Sequence, residues 1–208
     1  MNTGKRLAHR PIDQAKQDAI LASARAEFFE FGFASASIER IAAGANVSKV
    51  TIYNHFQNKE NLFSAMVGSE CRVMRGSLPA LSDDEVPLRV ELMNFAQSMM
   101  AFLSNPDIIR FDRRMAAEVE QHPDMGELFL NAGPRLMQNM LTDMIASEME
   151  RGRLAKANPQ EAAAHLYGIV KGFADVEWRF SNPEAAAASV TEAALESAVD
   201  RFLLAYKV

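Results

Sequence analysis

At 208 residues, 49% hydrophobic and 24% charged, the chain has the composition of a soluble globular protein, long enough for one large core or a small domain joined to a larger one. No run approaches the roughly 18 apolar residues that a membrane span needs, and the opening MNTGKRLAHRPID lacks the apolar centre of a signal peptide, so a cytoplasmic protein with no membrane partner is expected. The net charge of −5 argues at first against a nucleic-acid partner, yet residues 1–60 hold eight Lys and Arg against six Asp and Glu, which permits a basic N-terminal face on an acidic body.

Sustained period-two alternation is absent, and Ala, Met, Leu, Glu and Gln favour helices, so the chain reads as all-α. A basic arm, residues 1–12, precedes a first helix opened by Pro11 and Asp13. In it Ile20, Ala24, Phe28 and Phe31 recur at helical spacing, and Gly32 ends it. Ser37 starts a very short helix, residues 38–43, that stops at Gly44; Ser48 caps the next; Asn58 caps a longer one carrying Leu62, Met66 and Val73. These signals give a helix-turn-helix domain over 13–58, a connecting helix over 59–80 and a second domain over 81–208, where Ser82 and Glu85 have the spacing of a capping box. Further helices are expected to about residue 104, over 107–121, then after a break at QHPDMG over 134–151, 159–180 and 184–206.

The segment VSKVTIYNHF is a poor helix by propensity, because Val47, Val50, Thr51 and Ile52 are β-branched and no Glu/Lys pair supports it. Its position explains it. Residues 38–43 and 48–54, joined by the tight turn GANV, have helix-turn-helix spacing. Ile41, Ala42, Val47 and Ile52 can pack inward on Phe28 and Phe31, leaving Lys49, Val50, Thr51, Tyr53, Asn54 and His55 outside. A helix meant for the major groove avoids bulky acidic chains and presents donors and methyls to base edges, with Tyr, Thr, His and Lys for the flanking phosphates.

The stretch SIERIAAGANVSKVTIYNHFQNKENLF resembles the N-terminal DNA-binding domain of TetR/AcrR-family transcriptional regulators over residues 14 to about 63, through the pattern IA..A.VS..T.Y.HF..KE.L. The later RFDRRMAAEVEQHPDMGELFLNAGP resembles the C-terminal domain of a branch of that family. The resemblance implies double-stranded operator DNA as partner and a contact set of Ser37, Ser48, Lys49, Val50, Thr51, Tyr53, Asn54, His55 and Lys59. In that set Lys49, Val50 and Thr51 reach bases, Tyr53, His55 and Lys59 hold the phosphate backbone, and Ser37 adds a phosphate contact from the preceding helix. Members of the family often carry Gly where this chain has Val50. The competing readings are His55 as a capping or core histidine, Tyr53 as a packing aromatic, Lys59 as a solvated lysine at a helix start, and the arm GKRLAHR as a solvated tail instead of a minor-groove arm.

Nine of the twelve methionines fall between Met93 and Met149. Core packing explains such a set, and so does a pliable apolar pocket for a small-molecule effector, for which Met99, Phe102, Phe111, Met115, Met137, Met140 and Phe173 are the candidates. Arg110, Arg113 and Arg114 read as surface charges. Leu166, Ile169, Val170 and Phe173, with Leu195, Val199, Phe202 and Tyr206, make faces wider than an internal core needs and are expected to form a homodimer interface. The lone Cys71 excludes an internal disulfide and a thiolate cluster, and the four histidines lack HExxH, HxH or ExxH spacing. With no phosphate loop and no nucleophile elbow, neither metal, cofactor nor enzymatic activity is expected. The expectation is a homodimeric repressor released from its operator by an apolar or amphipathic ligand. The alternative is a helical small-molecule carrier that does not bind DNA.

Overall fold

The computed structural model describes residues 14–76, 86–187 and 190–208. The basic arm, the helix opening at Pro11 and Asp13 and the Ser82/Glu85 capping box lie outside the described residues. Among those described, the regular elements are all helices: α1 (Gln14–Ser35), α2 (Ile38–Gly44), α3 (Lys49–Phe56), α4 (Lys59–Gly76), α5 (Leu88–Leu103), α6 (Pro106–Gln121), α7 (Pro123–Ala132), α8 (Pro134–Glu150), α9 (Pro159–Lys171), α10 (Ala174–Phe180), α11 (Pro183–Ala187) and α12 (Glu192–Ala205).

The helix starts follow local chemistry. Asn105 and Asn158 accept the free N–H groups of Asp107 and Gln160, each beside a proline at the first helical position, where the missing N–H costs nothing. Four helix bounds differ from expectation. Gly32 does not end α1: its backbone adopts φ 75°, kinking the helix, and the chain resumes helical form as far as Ser35. The Pro and Gly of QHPDMG open α7 instead of marking a loop, because Gly126 sits against Val119 on α6, close enough that an added Cβ would be crowded at 3.2 Å. The expected helix over 159–180 divides at Gly172, φ 49°, into α9 and α10, and the expected last helix becomes α11 and the Thr191-capped α12.

Two hydrophobic clusters form. The first gathers Ile20, Ala24 and Phe28 of α1, Ile38 and Ile41 of α2, Ile52 and Phe56 of α3 and Leu62, Phe63 and Met66 of α4, and it also takes in Phe111 and Met115 of α6 with Met125 and Ala132 of α7. The second joins α5, α8, α9 and α12. So α6 and α7 complete the core of the N-terminal head although they lie far from it in sequence. Phe31, expected inside, is 44% exposed under the Arg40 guanidinium at 4.5 Å; Phe33 takes the inner place, parallel to Phe28 at 5.9 Å and edge-on to Phe63 at 5.3 Å. The kink at Gly32 is what exchanges them.

The second cluster corrects the expected dimer face. Leu166, Val170, Leu195, Val199 and Phe202 are buried within the single chain, because α9 and α12 pack against each other and α12 against α5, consuming both apolar stripes. Tyr206 is half-buried, its hydroxyl 2.6 Å from His165 Nδ1 and its carbonyl accepting from Ala155 N. Ile169 and Phe173 alone of that set are exposed. Under this cluster Arg153 reaches Glu91 Oε2 at 2.5 Å, the carbonyl of Val86 at 3.0 Å and the carboxylate of Glu148, tying the start of α5 to the end of α8.

Candidate nucleic-acid interface and ligand cavity

The short helices of the head are built around their caps. Ser37 Oγ accepts from Arg40 N at 3.3 Å and Ser48 Oγ from Thr51 N at 3.2 Å, so two poor helix formers each gain a defined start. Between them Asn46 adopts φ 53°, and Val47 N closes the turn on Ala42 O at 3.0 Å. Ile52 and Phe56 are the inner face of α3; Val50, 66% exposed, and Tyr53, 46% exposed, lie on the outer face with Lys49 and Asn54. Thr51 and His55 are half-buried at its edges, with the Thr51 hydroxyl 3.0 Å from Ser48 Oγ.

The electrostatics of that face differ from a simple row of cations. Lys49 Nζ is 2.8 Å from Glu39 Oε1, and this bond, with further help from the Ser37 hydroxyl, holds the Glu39 carboxyl down at about 2. Lys59, expected to be a phosphate clamp, turns inward: its Nζ donates to Ala36 O at 2.6 Å and Ala34 O at 3.3 Å and sits 4.8 Å over the Phe33 ring. Burial lowers its pKa. It closes the carbonyl end of α1, a task that a lysine at the start of α4 can reach only because the two helices meet there. Ser37 is likewise occupied, capping α2 and donating to Glu39 at 2.9 Å.

A cavity of about 570 Å³ opens between α4, α5, α6, α8, α9 and α10. Of the predicted pocket residues, Met99, Phe102, Phe111 and Met137 line it. Met115 does not; it is enclosed in the first cluster. Met140 packs on the second cluster, and Phe173 is 70% exposed on the outer surface, so neither belongs to the cavity wall. The residues that sequence reading missed are the ones with polar chemistry: Asp112 on α6, Tyr167 and Lys171 on α9, and Asp175 and Trp178 on α10. Lys171 Nζ is 2.5 Å from Asp175 Oδ1 and lies 5.7 Å over the Trp178 ring. The i, i+4 spacing of Lys171 and Asp175 was readable, but it is also the spacing of any solvated helix pair. Arg113 is no surface charge: it donates to the carbonyls of Trp178 and Ser181 at 2.6 Å each, pinning the end of α10 to α6. Cys71 also lines the cavity, and burial raises its thiol pKa.

The cavity and the head share α6. Phe29 of α1 reaches the cavity wall and stacks on Phe111 with ring centroids 4.3 Å apart. Two turns further along α6, one carboxylate oxygen of Glu118 accepts from Phe33 N at 3.0 Å and Ala34 N at 3.2 Å, immediately past the kink. A Cβ at Gly32 would collide with that carboxylate, so the contact needs glycine both for φ and for space.

Both halves of the chain are similar to known proteins. Residues 20–66 match the family model of tetR-family bacterial regulatory proteins, and residues 90–208 match that of the C-terminal domain of AefR-like transcriptional repressors. The HTH-type transcriptional regulator RutR of Escherichia coli is 28% identical over 83% of this chain and 79% of its own. A TetR-family regulator from Mesorhizobium loti superposes with a TM-score of 0.76 at 26% identity, covering 94% of this chain and 98% of that one. A flavonoid-responsive regulator, FrrA, does so with a TM-score of 0.72 at 27% identity, covering 93% and 97%. The capped pair α2–α3 at one end and the helical body at the other therefore have one identity: the chain belongs to the TetR family of DNA-binding transcriptional regulators.

Proposed function

We propose that this regulator is a homodimeric repressor whose hold on operator DNA is weakened when a small, largely apolar molecule occupies the cavity. The observation that carries this reading is the continuity of α6. The same helix lines the cavity with Ile108, Phe111 and Asp112 and, through Glu118, holds the backbone of α1 just before the helix-turn-helix. A molecule that binds better when α6 has shifted draws α1 and α2–α3 with it, and its leverage equals its differential affinity for the two arrangements. The responsiveness of FrrA to flavonoids supports a ligand of aromatic character in a related body.

In this reading, α3 enters the major groove with Lys49, Val50, Thr51, Tyr53 and Asn54 toward the DNA, and Ser37, Ser48 and His55 at its margins. Lys59 leaves the phosphate set. The second subunit docks on the outer surface of α9, α10 and α12, where Ile169, Phe173, Val176, Phe180 and Leu204 are exposed. Several large apolar side chains open to water on three helices form the kind of patch that a symmetric partner covers. Two α3 helices then lie about 34 Å apart, or a larger separation matched to the operator.

The test is fluorescence anisotropy with duplexes tiled across the DNA upstream of the gene. One duplex is expected to bind tightly enough to survive a large excess of scrambled competitor, and a compound that quenches the single tryptophan, Trp178, is expected to release it. Equal binding of every duplex would overturn the operator half of the proposal; a cavity binder that leaves operator affinity unchanged would overturn the effector half.

A further inference from the structure

The cavity wall is not uniformly apolar, and its polar groups are not equally satisfied. Lys171 and Asp175 are paired at 2.5 Å, and Arg179 adds a second contact to Asp175 at 3.2 Å. Asp112 faces Lys171, Asp175 and Arg179 across the α6–α9–α10 wall without a hydrogen bond to any of them. It is accessible, yet enough protein surrounds it that burial raises its carboxyl pKa, a combination expected of a group standing in the wall of a cavity. Trp178, from the same wall and only 7% exposed, has its indole N–H buried with no acceptor. Around them the surface is aromatic: Phe29, Phe102, Phe111, Phe129 and Tyr167.

From this juxtaposition we infer that the effector is a neutral, hydroxyl-bearing aromatic molecule whose hydroxyl donates to the Asp112 carboxylate while its rings lie among the phenylalanines. Each alternative head group meets an obstacle. A carboxylate or phosphate would face Asp112 and Asp175, with Lys171 already committed to Asp175. A fixed cation would approach Asp112 beside the Lys171 ammonium and the Arg179 guanidinium, which already offset the two carboxylates. A hydroxyl brings no charge, can donate to Asp112 and has lone pairs for a donor such as the buried indole N–H, which has no acceptor. A carboxylate covered by a ligand in a mostly apolar cavity discriminates strongly, because an analogue without the donor displaces its water and leaves it desolvated and unpaired.

The inference rests on the effector reading above, and its test is separable from that reading because it needs only the protein. Four biphenyl probes keep the apolar body constant and change the head: 4-hydroxybiphenyl, 4-methoxybiphenyl, biphenyl-4-carboxylate and trimethyl(biphenyl-4-yl)ammonium. Affinities are measured on the full chain by calorimetry and by quenching of Trp178. The hydroxyl probe is expected to bind about tenfold more tightly than each of the others, as a hydrogen bond to a charged group warrants. In Asp112→Leu that preference over the methyl ether is expected to vanish while the ether keeps its parent affinity, which also shows that the cavity remains folded. Tightest binding by the carboxylate would make Lys171 the head-group reader, and tightest binding by the ammonium would make the site a cation site; either overturns the inference. Equal binding of phenol and ether in the parent chain overturns it as well. Operator release, measured separately, decides the effector reading and not this one.

Discussion

Lys49 and Lys59 are two lysines of one short segment with opposite assignments. Lys49 is paired with Glu39 across the outer face, so in the proposed complex it must give up that carboxylate to meet the DNA. Lys49→Ala is expected to flatten the salt dependence of operator binding by about one ion per subunit. Lys59→Ala is expected to leave that slope alone and instead to lower stability by about 1 kcal/mol, since the carbonyls of Ala34 and Ala36 lose their donor. Salt titrations and urea unfolding of the two variants distinguish these roles, and a flattened slope in Lys59→Ala would return that residue to the phosphate set. Glu27 gives the head a pH dependence. Burial alone would raise its carboxyl pKa, but the bonds from the Arg40 side chain and Ser37 N–H, with the Arg40 charge, outweigh it and lower the pKa beneath 4.5. A depressed folded pKa contributes stability that is full above the unfolded value and is lost as pH falls through the folded one. Glu27→Gln is therefore expected to reduce stability at neutral pH by about 1–2 kcal/mol and to blunt its loss below pH 4.5, both readable from urea midpoints across pH.

At the level of elements, α6 is the one whose two tasks can be separated by mutation. Glu118→Ala removes the acceptor for Phe33 N and Ala34 N while leaving the cavity lining untouched. Cavity binders should keep their affinity in this variant, and the factor by which they weaken operator binding should fall toward one; an undiminished factor would move the transmission route elsewhere, α4 being the next candidate. The sequence pattern made most of these elements readable, because caps such as Ser37, Ser48 and Asn58 are local chemistry. It misled where tertiary contact overrode a local signal. Gly32 reads as a helix stop but is a kink held open for Glu118, a residue more than eighty positions away, and Gly126 reads as a break but is a close approach to Val119.

Across the whole molecule, the outward row of α3 was legible because the tight turn between α2 and α3 fixes which side chains face out. The cavity and the dimer surface were not, because they depend on how distant helices lie on one another. Met115 and Phe202 carry the same apolar signal as Met99 and Phe173, and only packing sends the first pair to the core and the second to a cavity and to open surface. Phe202→Glu is consequently expected to unfold the body. Phe173→Glu, on the exposed row with Ile169, is expected to give helical monomers by sedimentation with greatly weakened operator binding; a dimer persisting in that variant would place the interface on another face.

DNA and effector, if they compete through two arrangements of one body, must be coupled equally in both directions. The decisive measurement is a pair of titrations on the same protein: operator affinity with and without saturating cavity binder, and binder affinity with and without saturating operator. The two ratios should agree, at about 5–150-fold and in the sense of mutual weakening. Tight binding of both partners with both ratios at one would contradict control of DNA binding from the cavity.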